Sequence, residues 1–150
     1  MPDKTKLSRH ESRELAYKLI FAFDFNREEN PEDLYNTYIE ESGELSSEIS
    51  HELFAGTAGN IEKIDIIIQE YSPTRKVSRI AKAAVTALRL AIYEMTREEN
   101  PTPAVVAINE AMELVKEYGD EKSPSFVNGV LNKFARDRGL IAETKIRENE

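Results

Sequence analysis

The chain has 150 residues, with 20 Lys and Arg against 28 Asp and Glu, two His and no Cys, for a formal net charge of −8. At roughly 100–200 residues per domain this is one domain, or two small lobes sharing a core, and without cysteine it can form neither a disulfide nor a thiolate metal cage; His10 and His51 lie too far apart in sequence to ligate zinc as helical neighbours. No run approaches the ~18 apolar residues of a membrane span, and no apolar stretch follows the polar start Met1-Pro2-Asp3-Lys4-Thr5-Lys6, so a soluble, cytoplasmic protein is expected.

Hydrophobic spacing is helical nearly throughout, and no stretch alternates apolar with polar long enough to argue a strand, which predicts an all-α fold. Ser8-Arg9-His10-Glu11 fits a capping box and opens a first helix that should reach about Phe25. Asn30-Pro31-Glu32-Asp33 supplies a cap, a first-turn proline and first-turn acids for a second helix ending at Gly43. A long third helix should start near Ser46 or Ser47 and carry Leu53, Phe54, Ile61, Ile64, Ile68 and Tyr71. Gly56 and Gly59 inside it each cost ~1 kcal/mol relative to Ala, which either close packing offsets or a break at 56–60 avoids. Ser72-Pro73 stops this helix. A short basic turn then leads into the most periodic segment, with Ala81, Ala84, Val85, Leu88, Ala91, Ile92 and Met95 on one stripe, the expected central helix.

Thr102-Pro103 and Ser123-Pro124 repeat the cap-then-proline signal, opening helices that close at Gly119 and Gly139. The residues 140–150 alternate charge with little apolar content and are expected to fray. The whole reads as about seven helices, with a seam at Tyr71–Arg75 dividing an N-terminal lobe, about 8–72, from a C-terminal one, about 73–139.

An acidic protein is ordinarily a poor binder of nucleic acid, because phosphate affinity comes from Lys and Arg displacing counterions. The charge is unevenly spread, however. Residues 26–72 hold two basic and twelve acidic side chains, whereas residues 73–97 hold six basic and one acidic, and residues 1–25 five and four. At ~100° per residue, the first helix gathers Arg9, His10, Arg13, Tyr17 and Phe21 on one flank of its apolar arc, with Lys6 joining them if the helix extends back. Cations beside aromatic rings suit single-stranded nucleic acid, since guanidinium groups neutralise phosphate and rings stack on unpaired bases. The competing reading is an amphipathic helix with a basic polar face and peripheral core aromatics. The second island, Arg75, Lys76, Arg79, Lys82 and Arg89, either extends that surface or pairs with the acidic second and third helices.

Enzyme signatures are missing: there is no dinucleotide or phosphate-binding glycine loop and no nucleophile elbow. The carboxylate pairs Glu28-Glu29, Glu40-Glu41 and Glu98-Glu99 fall at polar ends, where neither member is desolvated as acid–base work demands. Asn109 and the mid-helix pair Asn128-Gly129 have poor helix propensity; the favoured explanation is that both amides bond buried helix ends or a loop, with Gly129 allowing close approach.

Ser12-Arg13-Glu14-Leu15-Ala16, Ala87-Leu88-Arg89-Leu90-Ala91-Ile92-Tyr93-Glu94, Pro103 with Ala107-Ile108-Asn109-Glu110-Ala111-Met112-Glu113-Leu114-Val115-Lys116, and Ser125-Phe126-Val127-Asn128-Gly129-Val130-Leu131-Asn132-Lys133 resemble, in order, the NusB family of transcription antitermination factors. The resemblance runs from about Ser8 to Phe134, and the last two motifs carry most of its specificity. It implies an all-helical fold of two packed three-helix lobes, no catalysis and no cofactor, in the bacterial cytoplasm. It further implies binding to the single-stranded boxA element of nascent RNA, notably in rRNA operon leaders, together with the ribosomal protein NusE, within an RNA polymerase antitermination complex. Carried over residue by residue, the RNA site would comprise Lys4, Lys6, Arg9, His10 and Arg13, with Lys122, Ser125 and Phe126 at the start of the last helix. The partner-protein surface would comprise Tyr17, Phe21 and Glu94. The usual run of arginines is thinned here to Arg9-His10-Glu11, and Phe21 replaces a frequent Tyr, which implies weaker unaided RNA binding and one hydroxyl hydrogen bond fewer. Two other classes remain: the helical RNA-docking domain of an rRNA methyltransferase, which would need a cofactor domain beyond Glu150, and a homo-oligomeric helical protein, such as a homodimer, associating through Tyr17, Phe21 and Glu94.

Overall fold

A computed structural model describes residues 6–141. Among them are seven α-helices, α1 (Arg9–Asp24), α2 (Pro31–Ser42), α3 (Glu48–Gly59), α4 (Ile61–Glu70), α5 (Lys82–Thr96), α6 (Ala104–Tyr118) and α7 (Ser123–Asp137), with one 3-10 turn at Val77–Arg79 and no strand. The all-α expectation holds.

Helix ends follow from the local chemistry. Ser8 accepts from the Glu11 backbone N–H while Glu11 accepts from the Ser8 N–H, closing the expected capping box on α1. Asn30 caps α2, and Gly43 ends it in the left-handed conformation at φ 70°, which glycine adopts without a Cβ clash. The single long third helix is replaced by α3 and α4, which meet at Asn60, where the backbone leaves the helical region at φ −117° and ψ 15°. Of the two outcomes open at the glycines, Gly56 packs: a methyl there would overlap the Tyr93 phenol. Gly59, with nothing within 4 Å of an added Cβ, sits at the break.

The cap signals before α6 and α7 are used differently from the expectation. Pro103 flanks α6 without a side-chain cap, because the Thr102 hydroxyl donates instead to Glu94 Oε1 at 2.7 Å. At α7 the capping carboxylate is Asp120, which accepts from the backbone N–H groups of Lys122 and Ser123 and from the Ser123 hydroxyl. Three acceptor contacts of that kind favour the ionised form, and they hold the Asp120 carboxyl below the ordinary carboxylate range.

α5 is the central helix, as its stripe predicts: it packs against α1, α3, α4, α6 and α7, and buries Ala84, Val85, Ala87, Leu88, Leu90, Ala91, Ile92 and Met95. Burying each Val, Leu, Ile or Met side chain contributes ~1.5–3 kcal/mol, so α5 supplies much of the shared core. Asn109 and Asn128 correct an expectation. Both are exposed; Asn128 Oδ1 accepts from Asn132 one turn on, and an added Cβ at Gly129 would meet nothing within 4 Å. Among the described residues these motif positions serve no buried helix end.

Candidate nucleic-acid interface

α1 places its basic–aromatic flank against two helices and thereby divides it. Arg9 is exposed, with no ion pair among the described residues, and Lys6 is exposed beside it; Lys4 lies outside the described residues. His10 is exposed and its Nδ1 lies 2.9 Å from Glu110 Oε1 on α6. That hydrogen bond outweighs burial and, with the charges of Glu110, Glu14 and Glu117, raises the imidazole above its ordinary value. His10 is therefore the member of the outer flank whose charge responds to pH.

Arg13, Tyr17 and Glu94, expected as contact residues, are buried and engaged within the chain. Arg13 is 7% exposed and Glu94 1%; Arg13 Nε donates to both Glu94 oxygens at 3.0 and 2.9 Å. Glu94 also takes the Thr102 hydroxyl bond already described, and Arg97 Nη2 donates to Thr102 Oγ1 at 3.0 Å. Tyr17 is 2% exposed; its hydroxyl donates to the Ala83 carbonyl at 2.7 Å, and burial raises its pKa far above the ordinary tyrosine value. Of the three residues on which a homo-oligomer surface was expected, Tyr17 and Glu94 are thus enclosed within the chain. Phe21, by contrast, is exposed, and its ring lies 5.4 Å from that of Phe25, which is 61% exposed.

The buried members join the two halves of the surface. Tyr17 stacks on Tyr118 of α6 with centroids 5.2 Å apart, and the Tyr118 hydroxyl donates to Glu14 Oε2 at 2.5 Å. Sequence reasoning missed Tyr118, whose position in the last turn of α6 looked like a helix end only. Past Gly119 the chain turns into Lys122, Ser125 and Phe126, and these line a groove of about 520 Å³ with Arg75, Ile80, Ala81, Ala84, Asp120, Glu121 and Ser123. His10 and Tyr17 are seven positions apart on α1, about 10 Å at 1.5 Å per residue. The Tyr17 hydroxyl reaches Ala83, between the groove residues Ala81 and Ala84. The helix that carries the exposed His10 thus bonds, through Tyr17, to α5 next to the groove residues Ala81 and Ala84. Among the described residues no cluster of His, Asp and Glu converges as a metal site, and no helix is long and apolar enough to cross a membrane.

Known proteins place this architecture. Residues 10–136 match the NusB family. The chain is 37% identical over 145 residues to the transcription antitermination protein NusB of Acetivibrio thermocellus, covering 96% of this chain and 99% of that protein. It is 39% identical over 139 residues to the transcription antitermination protein NusB of Alkaliphilus oremlandii, covering 90% and 98%. A solved structure of T. maritima NusB matches with a TM-score of 0.76 at 31% identity over 88% of this chain and 93% of that one. A structure of the antitermination factors NusB and NusE in complex with double-stranded RNA matches at 0.70 and 29% identity, over 86% and 96%. With motifs, helix order and near full-length similarity in agreement, the chain belongs to the NusB family.

Proposed function

We propose that this protein is a non-catalytic transcription antitermination factor that binds single-stranded boxA-like RNA with the ribosomal protein NusE, within an RNA polymerase antitermination complex in the bacterial cytoplasm. The observation that carries the reading is the exposed Arg9, without an ion pair among the described residues, next to His10 on the helix whose Tyr17 bonds to α5 beside the Phe126 groove. Lys6, Arg9, His10 and Lys122 neutralise phosphates, while Phe126 offers a ring to an unstacked base. Arg13, Tyr17 and Glu94 hold α1 against α5 and position these groups without touching RNA themselves. The exposed Phe21 and Phe25 rings give NusE an apolar anchor, and the acidic residues of α2–α4 complement a basic partner and repel RNA from the far side.

The test is a fluorescence-anisotropy titration of a boxA-like RNA strand, with and without NusE, over a salt series. Arg9→Ala should weaken binding and flatten the salt dependence by about 0.7 log units per decade for each phosphate no longer neutralised. Absence of binding in both conditions overturns the reading, and tighter binding of a duplex than of the strand overturns its single-strand element.

A further inference from the structure

Five of the six glycines have a use inside the fold. Gly43 and Gly139 adopt the left-handed conformation, at φ 70° and 69°, and Gly59 sits at the break between α3 and α4. A Cβ at Gly56 or Gly119 would strike the Tyr93 ring or the Val115 carbonyl. Gly129 does none of these. It lies inside α7, where glycine weakens a helix, and an added Cβ there would meet nothing within 4 Å. A mid-helix glycine that no internal contact requires leaves the backbone bare on its outer side, which suits close approach by something outside the chain.

The surroundings of Gly129 on that side are positive. Lys122, Ser125, Gly129, Lys133 and Arg136 follow one another at intervals of three or four residues and are all exposed, so they form one row, roughly 21 Å long at 1.5 Å per residue. Lys133 and Arg136 have no ion pair among the described residues. The one acid on α7, Asp137, is engaged by the Tyr71 hydroxyl at 2.5 Å. On the helical wheel Lys133 and Asp137 both fall within ~20° of Phe126. Phe126 meets Arg75 and Asp137 meets Tyr71, so Lys133, between them, borders the connection after α4, which adds the exposed and unpaired Lys76. None of the large exposed apolar side chains lies on α7. A protein partner would find no anchor there of the kind that carries interface energy, whereas a polyanion needs only cations and a surface it can approach.

We propose that the outer face of α7 at Gly129, Lys133 and Arg136 seats the ribose–phosphate backbone of RNA adjoining the boxA-like element, and holds it without reading its bases. The bare backbone at Gly129 lets the strand lie close to the helix, and Lys133 and Arg136 neutralise two of its phosphates, with Lys76 at the border. The seat rests on the RNA-binding reading and gives the flanking RNA a path of its own, away from the groove at the start of α7. It also gives Gly129 a use that the packing of the chain does not.

The test compares, on the full chain with NusE, a boxA-like RNA strand and the same strand extended at either end by a short run of uridines or of cytidines. One of the two ends should gain about fivefold or more in affinity on extension, equally for both runs because no base is read. That gain should come with a salt slope steeper by about 1.4 log units per decade for two more neutralised phosphates. Lys133→Ala with Arg136→Ala should abolish the gain and the added slope while binding the short strand as before. Gly129→Leu places a good helix former in open space, so its melting temperature should not fall, yet it too should lose the gain. If the extension adds nothing at either end, or adds as much in these variants, the seat is wrong and the RNA reading stands. A gain that differs between uridines and cytidines also overturns it, since bases would then be read. If the short strand does not bind even with NusE, the RNA reading falls and the seat with it.

Discussion

Arg13 and Arg9 differ by four positions, about one helical turn, and have the same charge, yet the fold gives them opposite work. Arg13 neutralises the buried Glu94, and removing one member of such a pair strands the other in a low-dielectric site at a cost of ~3–5 kcal/mol. Arg13→Ala should therefore lower the unfolding free energy by about that amount in urea titrations, whereas Arg9→Ala should leave stability within ~0.5 kcal/mol and act on RNA affinity alone. Equal stabilities for the two variants would contradict the assignment. The helical period placed both arginines on one flank; what it could not supply was the partner, because Glu94 comes from a helix 81 positions away. His10 yields a second residue-scale prediction. Its pKa is raised, chiefly by the Glu110 bond, so it gains its proton somewhat above the usual ~6.5. Protonation makes this corner, which also contains Glu110, Glu14 and Arg13, less negative. RNA affinity should rise as pH falls through that value, and His10→Gln should remove this component from the pH profile.

At the scale of elements, terminal signals were the most legible part of the chain. Ser8, Asn30, Ser47 and Gly43 act through hydrogen bonds to residues within four positions, so sequence alone contains both partners. The division of α3 from α4 was not decidable, since whether Gly56 is tolerated depends on Tyr93, which approaches from α5. The Tyr93 hydroxyl donates to Glu52 of α3, and burial together with that bond pushes its pKa up to about 12. Gly56→Ala should gain up to ~1 kcal/mol of helix propensity but meet the fixed ring, where overpacking costs ~1–3 kcal/mol. A net loss of melting temperature is expected. Gly59→Ala, which meets nothing, should be neutral or slightly stabilising. Differential scanning calorimetry of the two variants checks the contrast, and a destabilised Gly59→Ala with an unaffected Gly56→Ala would reverse the account of the break.

For the whole molecule, net charge was the least informative quantity, because it averages surfaces with different uses and hides the carboxylates that hold helices together. Asp24, at the end of α1, receives Lys82 at 2.7 Å, Arg27 at 2.8 Å and Arg89 at 3.3 Å, and Arg89 also reaches Asp65 of α4. This cluster ties α1, α4 and α5 at one end of the core, while Arg13 and Glu94 tie α1 to α5 at the other. Burial alone would raise the Asp24 carboxyl, but the hydrogen bonds from Lys82 and Arg27 and the charge of Arg89 outweigh it and bring it down to about 2. A carboxylate whose folded value lies below its unfolded ~3.9 stabilises the fold above that unfolded value, and the contribution disappears as pH falls from about 4 towards 2. The size of the effect is on the order of 2 kcal/mol. Asp24→Asn should therefore be less stable than the unsubstituted chain at pH 7, and the gap should narrow by about that much on acidification, because the asparagine has no proton to gain. Urea unfolding of both proteins at pH 7, 4 and 2.5 measures it. A gap that stays constant across the series would show that Asp24 stabilises the helices by shape and hydrogen bonding rather than by its charge.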